Sequence, residues 1–192
     1  MIHNIFSVPL YNTKLSIDNK PILSFCTSLA KRNKGRVLTN IGGWQSKDLV
    51  KNEKPLIPLY RNITYHANKF TQSLEFKGAV NLLNVWVNIN GYKDFNALHK
   101  HDHSFISGVY YVKTPKDCGN IIFQRPGFDA FTSDWNRHQE KFNDCNTAVR
   151  WQAAEESILY LFPSWQNHYV EPNLNKKEKR ISISFNFALT NI

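Results

Sequence analysis

At Gly78 the hydrophobic period of this sequence changes from helical to two, and the change governs what the chain can fold into. Before it, Ile63, Ala67, Phe70 and Leu74 recur at three- and four-residue spacing, which predicts a helix from Asn62 that Gly78 ends. After it, Val80, Leu82, Asn84, Trp86, Asn88 and Asn90 fall on one side of a strand, with Leu83, Val85, Val87 and Ile89 on the other. One side is apolar; the other carries amides and an indole, as a strand does when it lines a cavity.

The rest of the chain extends that division. A short strand is expected within residues 3–15. Asp18-Asn19-Lys20-Pro21 reads as a helix start, with a capping carboxylate and a proline tolerated in the first turn. Ile22, Phe25, Cys26 and Leu29 continue that helix, and Gly35 stops it. Residues 36–58 look irregular. Strands are expected at Ser107–Val112, Ile121–Phe123, Thr147–Trp151 and Ser157–Phe162, with a long loop over 127–148 that could lie over a site. The last strand alternates cleanly: Ile181, Ile183, Phe185 and Phe187 face one way, Arg180, Ser182, Ser184 and Asn186 the other. Two early helices followed by many short strands predict an α+β, mainly β chain built around a sandwich or barrel. The sequence divides into a helical part over about 1–78 and a β core over about 79–192 within one domain.

Composition excludes some partners. With 192 residues, 42% apolar, the chain can fill one core, and no apolar run is long enough to cross a membrane. The net charge of +9 could attract anions, but the basic residues are scattered. Their densest run, Lys176-Lys177-Glu178-Lys179-Arg180, suits a solvated hairpin tip, and no nucleic-acid motif accompanies it. Cys26, Cys118 and Cys145 share no metal-site spacing, and the N-terminus lacks a signal-peptide pattern. A cytoplasmic protein with free thiols is expected, acting on an organic substrate, with room for a homo-oligomer.

The chemistry concentrates in Asn96-Ala97-Leu98-His99-Lys100-His101-Asp102-His103. Alternate residues of a strand share a face, so His99, His101 and His103 would project together, and two imidazoles so spaced can close on one ion. His168 and Arg180 straddle a turn-rich tip over Glu171–Lys179, which predicts a hairpin that sets them opposite each other. A histidine from there could complete a metal site with open positions, the arrangement of non-haem iron oxygenases. Arg180, with Ser182 on the same face, would suit the far carboxylate of a keto acid chelated by the metal.

Several stretches carry a family resemblance. They are Gly42-Gly43-Trp44-Gln45-Ser46, Trp86-Val87-Asn88-Ile89-Asn90, Asn96-x-x-His99-x-His101 and Ser107-Gly108-Val109-Tyr110-Tyr111-Val112. Phe162-Pro163-Ser164-Trp165-x-x-His168-x-Val170 and Arg180-Ile181-Ser182-Ile183-Ser184-Phe185-Asn186 follow. In this order, over residues 42–187, they resemble the 2-oxoglutarate/iron(II) oxygenases of bacterial and phage type, whose core is a double-stranded β-helix (a jelly-roll, cupin-like). The resemblance implies Fe(II) held by His99, His101 and His168, and 2-oxoglutarate held by Arg180 and Ser182 with help from Tyr110. It implies hydroxylation of an organic substrate while 2-oxoglutarate is decarboxylated to succinate. His101 stands where the broader superfamily carries a carboxylate. Asp102 replaces a proline frequent after the second histidine, and the extra His103 leaves His101/His103 as an alternative pair.

A jelly-roll that binds a metal or small anion without turnover is the alternative reading. Among other conspicuous residues, Trp44, Trp86 and Trp165 are expected in the core or a pocket wall. Cys26 is expected in the core, His66 in a structural role, His3 on the surface, and Trp135 and His138 in the long loop.

Overall fold

The computed structural model describes residues 7–50, 52–127 and 140–190. His3, Trp135 and His138, and the middle of the expected loop, lie outside them. The first elements are strand β1 (Tyr11–Lys14) and helix α1 (Asn19–Arg32). The Asp18 carboxylate caps α1 by accepting from the Lys20 backbone N–H at 3.0 Å. Ile22 and Cys26 are its buried face.

The segment after α1 departs from expectation. Two-residue strands β2 (Asn40–Ile41) and β3 (Trp44–Gln45) form there. The second helix, α2 (Ile57–Ser73), begins five residues before Asn62, behind a 3-10 turn at Lys54–Leu56. Pro58 closes the stretch expected to be irregular. It falls in the first turn of α2, where its missing N–H costs nothing.

Among the described residues eight strands follow: β4 (Ala79–Asn90), β5 (Phe95–His99), β6 (Ile106–Lys113), β7 (Ile121–Gln124), β8 (Val149–Gln152), β9 (Ile158–Pro163), β10 (His168–Val170) and β11 (Arg180–Thr190). They assemble with the short strands into two antiparallel sheets, ordered β1-β9-β6-β11-β4-β3 and β2-β5-β10-β7-β8. The two sheets form the expected jelly-roll. The helices cover the outer face of the larger sheet, where Ile63, Phe70, Val85, Val87, Ile183, Phe185 and Phe187 pack in one apolar core. Gly108 of β6 faces that core with no room for a side chain: a Cβ there would lie 2.5 Å from the Phe185 ring.

A β-bulge corrects the expected faces of β4. Asn186 of β11 pairs with Asn84 but Phe187 pairs with Leu82, so Leu83 is an extra residue. Val80 and Leu82 therefore join Val85, Val87 and Ile89 on the helix side. Asn84, Trp86, Asn88 and Asn90 alternate onto the inner side opposite them, in register with Asn186, Ser184, Ser182 and Arg180. A second correction concerns the tip at Glu171–Lys179. It joins β10 of the small sheet to β11 of the large one, so it is a crossing between layers and not a hairpin. His168 and Arg180 face each other across the interior instead of along one sheet.

Between the sheets, Val109, Tyr111, Ile121, Phe123, Tyr160 and Phe162 form a smaller apolar cluster. Beside it lies a cavity lined by polar side chains from both layers.

Candidate metal centre

The wall formed by the small sheet carries the histidines. His99 ends β5 directly opposite His168, which begins β10. His101 lies past the strand end, held there by its backbone N–H donating to the Ser164 carbonyl at 2.9 Å. Ring centroids are 4.3 Å apart for His99 and His168, 5.0 Å for His99 and His101, and 5.2 Å for His101 and His168. One nitrogen from each lies within 4.8 Å of the others, so a single ion can touch all three.

Hydrogen bonds fix which nitrogen is offered. His99 Nδ1 lies 2.7 Å from the Ala97 carbonyl, and His168 Nδ1 lies 2.9 Å from the Gln166 carbonyl. A carbonyl only accepts, so each Nδ1 carries the proton and each Nε2 keeps its lone pair for a metal. Burial, with the neighbouring imidazoles, pushes His168 well below the ordinary histidine range and His101 down to about 4. Burial also lowers His99. All three rings are neutral near pH 7, the form that binds metals.

His103 does not join them. The chain turns at Asp102 and His103, with His103 in the left-handed region at φ 64°, so the alternation that would have aimed it inward ends at the strand. Its side chain is exposed, and Asp102 is exposed too, 3.3 Å from the Lys100 ammonium. No carboxylate belongs to the histidine cluster among the described residues.

The opposite wall belongs to the large sheet. Arg180 is 1% exposed. Its Nη1 donates to the carbonyls of Cys118 and Glu171, and its Nη2 has no partner. Two acids act on it from a distance, Asp94 and Glu171. Both are engaged elsewhere: Asp94 accepts from Gly91 N–H, and Glu171 from the Asn120 N–H and side-chain amide. A buried guanidinium with a free donor and no ion pair among the described residues is arranged for an anion. Ser182 lines the same cavity.

Tyr110 is on the wrong side for the role expected of it. It packs in the core beneath the helices, and its hydroxyl donates to Asn19 Oδ1 at 2.8 Å. Its neighbour Tyr111 faces the cavity, and that hydroxyl is buried without a partner. Tyr111 also pairs across the strands with Ser182. The sequence held a clue in Gly108: a face crowded enough to require glycine there is the core face, which sends Tyr110 to the core and Tyr111 inward.

Aromatic rings close the site. Trp86 lies 5.6 Å from His101 and Phe162 lies 4.6 Å from His168, centroid to centroid. Trp86 is a cavity wall as expected, and Trp44 packs partly against the helix-side core. Trp165 is 53% exposed at the β9–β10 turn and belongs to neither place. His66 takes the Tyr11 hydroxyl on Nδ1 at 2.7 Å, a structural contact. Cys26 is fully buried in the core.

Residues 84–186, more than half of the chain, match the family model described as "Putative 2OG-Fe(II) oxygenase". No curated protein matches the chain. Among solved structures, the fold is similar to a prolyl-4-hydroxylase from Pseudomonas putida, with a TM-score of 0.67 and 13% identity over 96% of this chain and 95% of that one. A viral collagen prolyl hydroxylase from Paramecium bursaria Chlorella virus-1, in its 2OG complex, matches with a TM-score of 0.60 and 12% identity over 94% and 96% of the two chains. HygX from Streptomyces hygroscopicus, with nickel and 2-oxoglutarate bound, matches with a TM-score of 0.62 and 10% identity over 95% and 84%.

Proposed function

Because the chain belongs to this family of 2-oxoglutarate/iron(II) oxygenases, we propose that it hydroxylates an organic substrate at an iron held by His99, His101 and His168, with 2-oxoglutarate anchored on Arg180. The observation that carries the reading is the pairing of opposite walls. One offers three neutral imidazoles, and the other offers an unpaired Arg180 Nη2 beside the unpaired Tyr111 hydroxyl. Ser182 supplies a further hydroxyl to the same carboxylate subsite.

Iron with 2-oxoglutarate would supply the oxidising chemistry, the keto acid leaving as succinate and carbon dioxide while one oxygen atom of O2 enters the substrate. The side chains have simpler tasks. The Nε2 lone pairs of His99 and His168 and one ring nitrogen of His101 would hold the ion without adding negative charge, so the keto acid is what would offset the charge of a divalent metal. Nη2 and the Tyr111 hydroxyl donate to the far carboxylate and set the direction in which the molecule lies. Trp86 and Phe162 cover His101 and His168 from water.

The test is succinate release with iron(II), O2 and 2-oxoglutarate over a panel of candidate substrates. Prolyl peptides belong in the panel, since two structural relatives are prolyl hydroxylases. Succinate formation that requires both iron and 2-oxoglutarate is the expected result. A protein that binds metal yet yields no succinate with any substrate, nor slowly without one, would leave the non-catalytic reading in its place.

A further inference from the structure

The cavity floor between Arg180 and the histidines is made by the inner faces of β4 and β11. Their residues pair as Arg180 with Asn90, Ser182 with Asn88, and Ser184 with Trp86. Successive inward pairs are about 7 Å apart along a strand. Arg180 belongs to the first pair, and Trp86, against which His101 packs, to the third. A molecule stretched from the metal to Arg180 must cross the second, where Asn88 stands.

Asn88 is 4% exposed and lines the cavity. Its Nδ2 donates to Ser184 Oγ at 3.0 Å, and its Oδ1 has no partner. The next amide row behaves differently. There Ser107 Oγ donates to Asn186 Oδ1 at 2.7 Å and Asn186 Nδ2 donates to Asn84 Oδ1 at 2.9 Å, so both ends of the Asn186 amide are used within the protein. A buried polar atom without a partner is costly, and Asn88, a residue of the cavity wall, keeps one.

The two ends of an amide exchange places by a half-turn, and a serine hydroxyl donates as readily as it accepts. With the Asn88 amide turned, the Ser184 hydroxyl donates to Oδ1 and Nδ2 donates into the cavity. Resting on the keto acid reading above, we propose that Asn88 is a positioning residue for 2-oxoglutarate, its Nδ2 donating to an oxygen of the metal-binding end while Ser184 holds Oδ1. The anchor of the side chain chooses that end. Asn88 is tied to Ser184, which pairs with Trp86 beside His101, whereas Tyr111 and Ser182 serve the far carboxylate.

Anaerobic titration of the iron(II)-loaded protein, followed by the charge-transfer absorption of a keto acid chelate, reads this contact without turnover. Glutarate, which keeps the far carboxylate but lacks the keto group, serves as a competitor that uses the Arg180 end. Asn88→Ala should weaken 2-oxoglutarate about tenfold, Asn88→Asp about a hundredfold because it sets like charges together, and Ser184→Ala about threefold. Glutarate should bind all of them within twofold of wild type. Wild-type protein that shows no 2-oxoglutarate titration would remove the keto acid reading and this inference with it. Wild-type binding with both Asn88 variants inside twofold would remove the inference alone, as would an equal loss of glutarate, which marks a change of pocket shape. Should the Asn88 variants fail to fold by circular dichroism, Ser184→Ala decides, and unchanged 2-oxoglutarate affinity there overturns the assignment.

Discussion

Replacing Arg180 by methionine keeps most of the side-chain volume and removes the charge. In the wild type the guanidinium is 1% exposed, tied through Nη1 to two carbonyls and free at Nη2. A dicarboxylate that meets Arg180→Met buries its far carboxylate without a cation, a loss of about 3–5 kcal/mol, or about 150- to 4,000-fold in affinity. The effect on the ligand-free protein runs the other way. Losing the bonds to Cys118 and Glu171 costs about 1–3 kcal/mol, but an unpaired buried charge that cost several kcal/mol is gone. Its Tm without ligand should therefore hold or rise. Metal affinity should not move, because the histidines stand on the other sheet. Calorimetric titration of metal and then 2-oxoglutarate, with a thermal melt of each apo protein, reads all three quantities. A variant that binds 2-oxoglutarate within tenfold of wild type, or loses metal and keto acid together, would refute the reasoning.

Three further outcomes follow from the same geometry. Tyr111→Phe should weaken 2-oxoglutarate about tenfold with little change in Tm, while Tyr110→Phe should leave affinity alone and cost about 1 kcal/mol in chemical denaturation through its lost bond to Asn19. His168→Ala should lower metal affinity by at least about a hundredfold in a competition titration, and His103→Ala should not change it. Apo-protein stability should fall on acidification between pH 6.5 and about 4. The imidazoles are depressed in the folded state, so the unfolded chain binds more protons in that window and stability rises with pH. For His101 alone the drop to about 4 corresponds to about 3 kcal/mol. Denaturation midpoints against pH, with and without a divalent metal, would show the loss moving to lower pH when the metal is present.

What could be read before folding, and what could not, divides along local and non-local lines. The faces of β11 follow from strict alternation, and its inward Arg180 and Ser182 and outward Ile181 and Ile183 stand as the sequence predicts. Alternation misleads wherever one residue is inserted or a strand stops. The Leu83 bulge moves Val80 and Leu82 to the other face, and the turn at Asp102 takes His103 out of the set. The tip at Glu171–Lys179 looks like a hairpin because hairpins and layer crossings use the same turn residues. Only sheet membership separates them, and that depends on long-range pairing. Adjacent tyrosines are the hardest case. Composition cannot tell Tyr110 from Tyr111, and the answer lies in the ring of Phe185 pressing on Gly108.

The placement of the two halves of the site on separate sheets has a mechanical consequence. At one end of the interior the layers adhere through Val109, Phe123, Tyr160 and Phe162. Beside that cluster they face each other across a cavity, with imidazoles on one wall and a guanidinium on the other. Whatever spans that gap works as a clasp for the sandwich as well as a reagent. The loaded protein should be stiffer between its layers than the empty one, and metal and keto acid, each gripping one layer, should tighten each other's hold by the same factor.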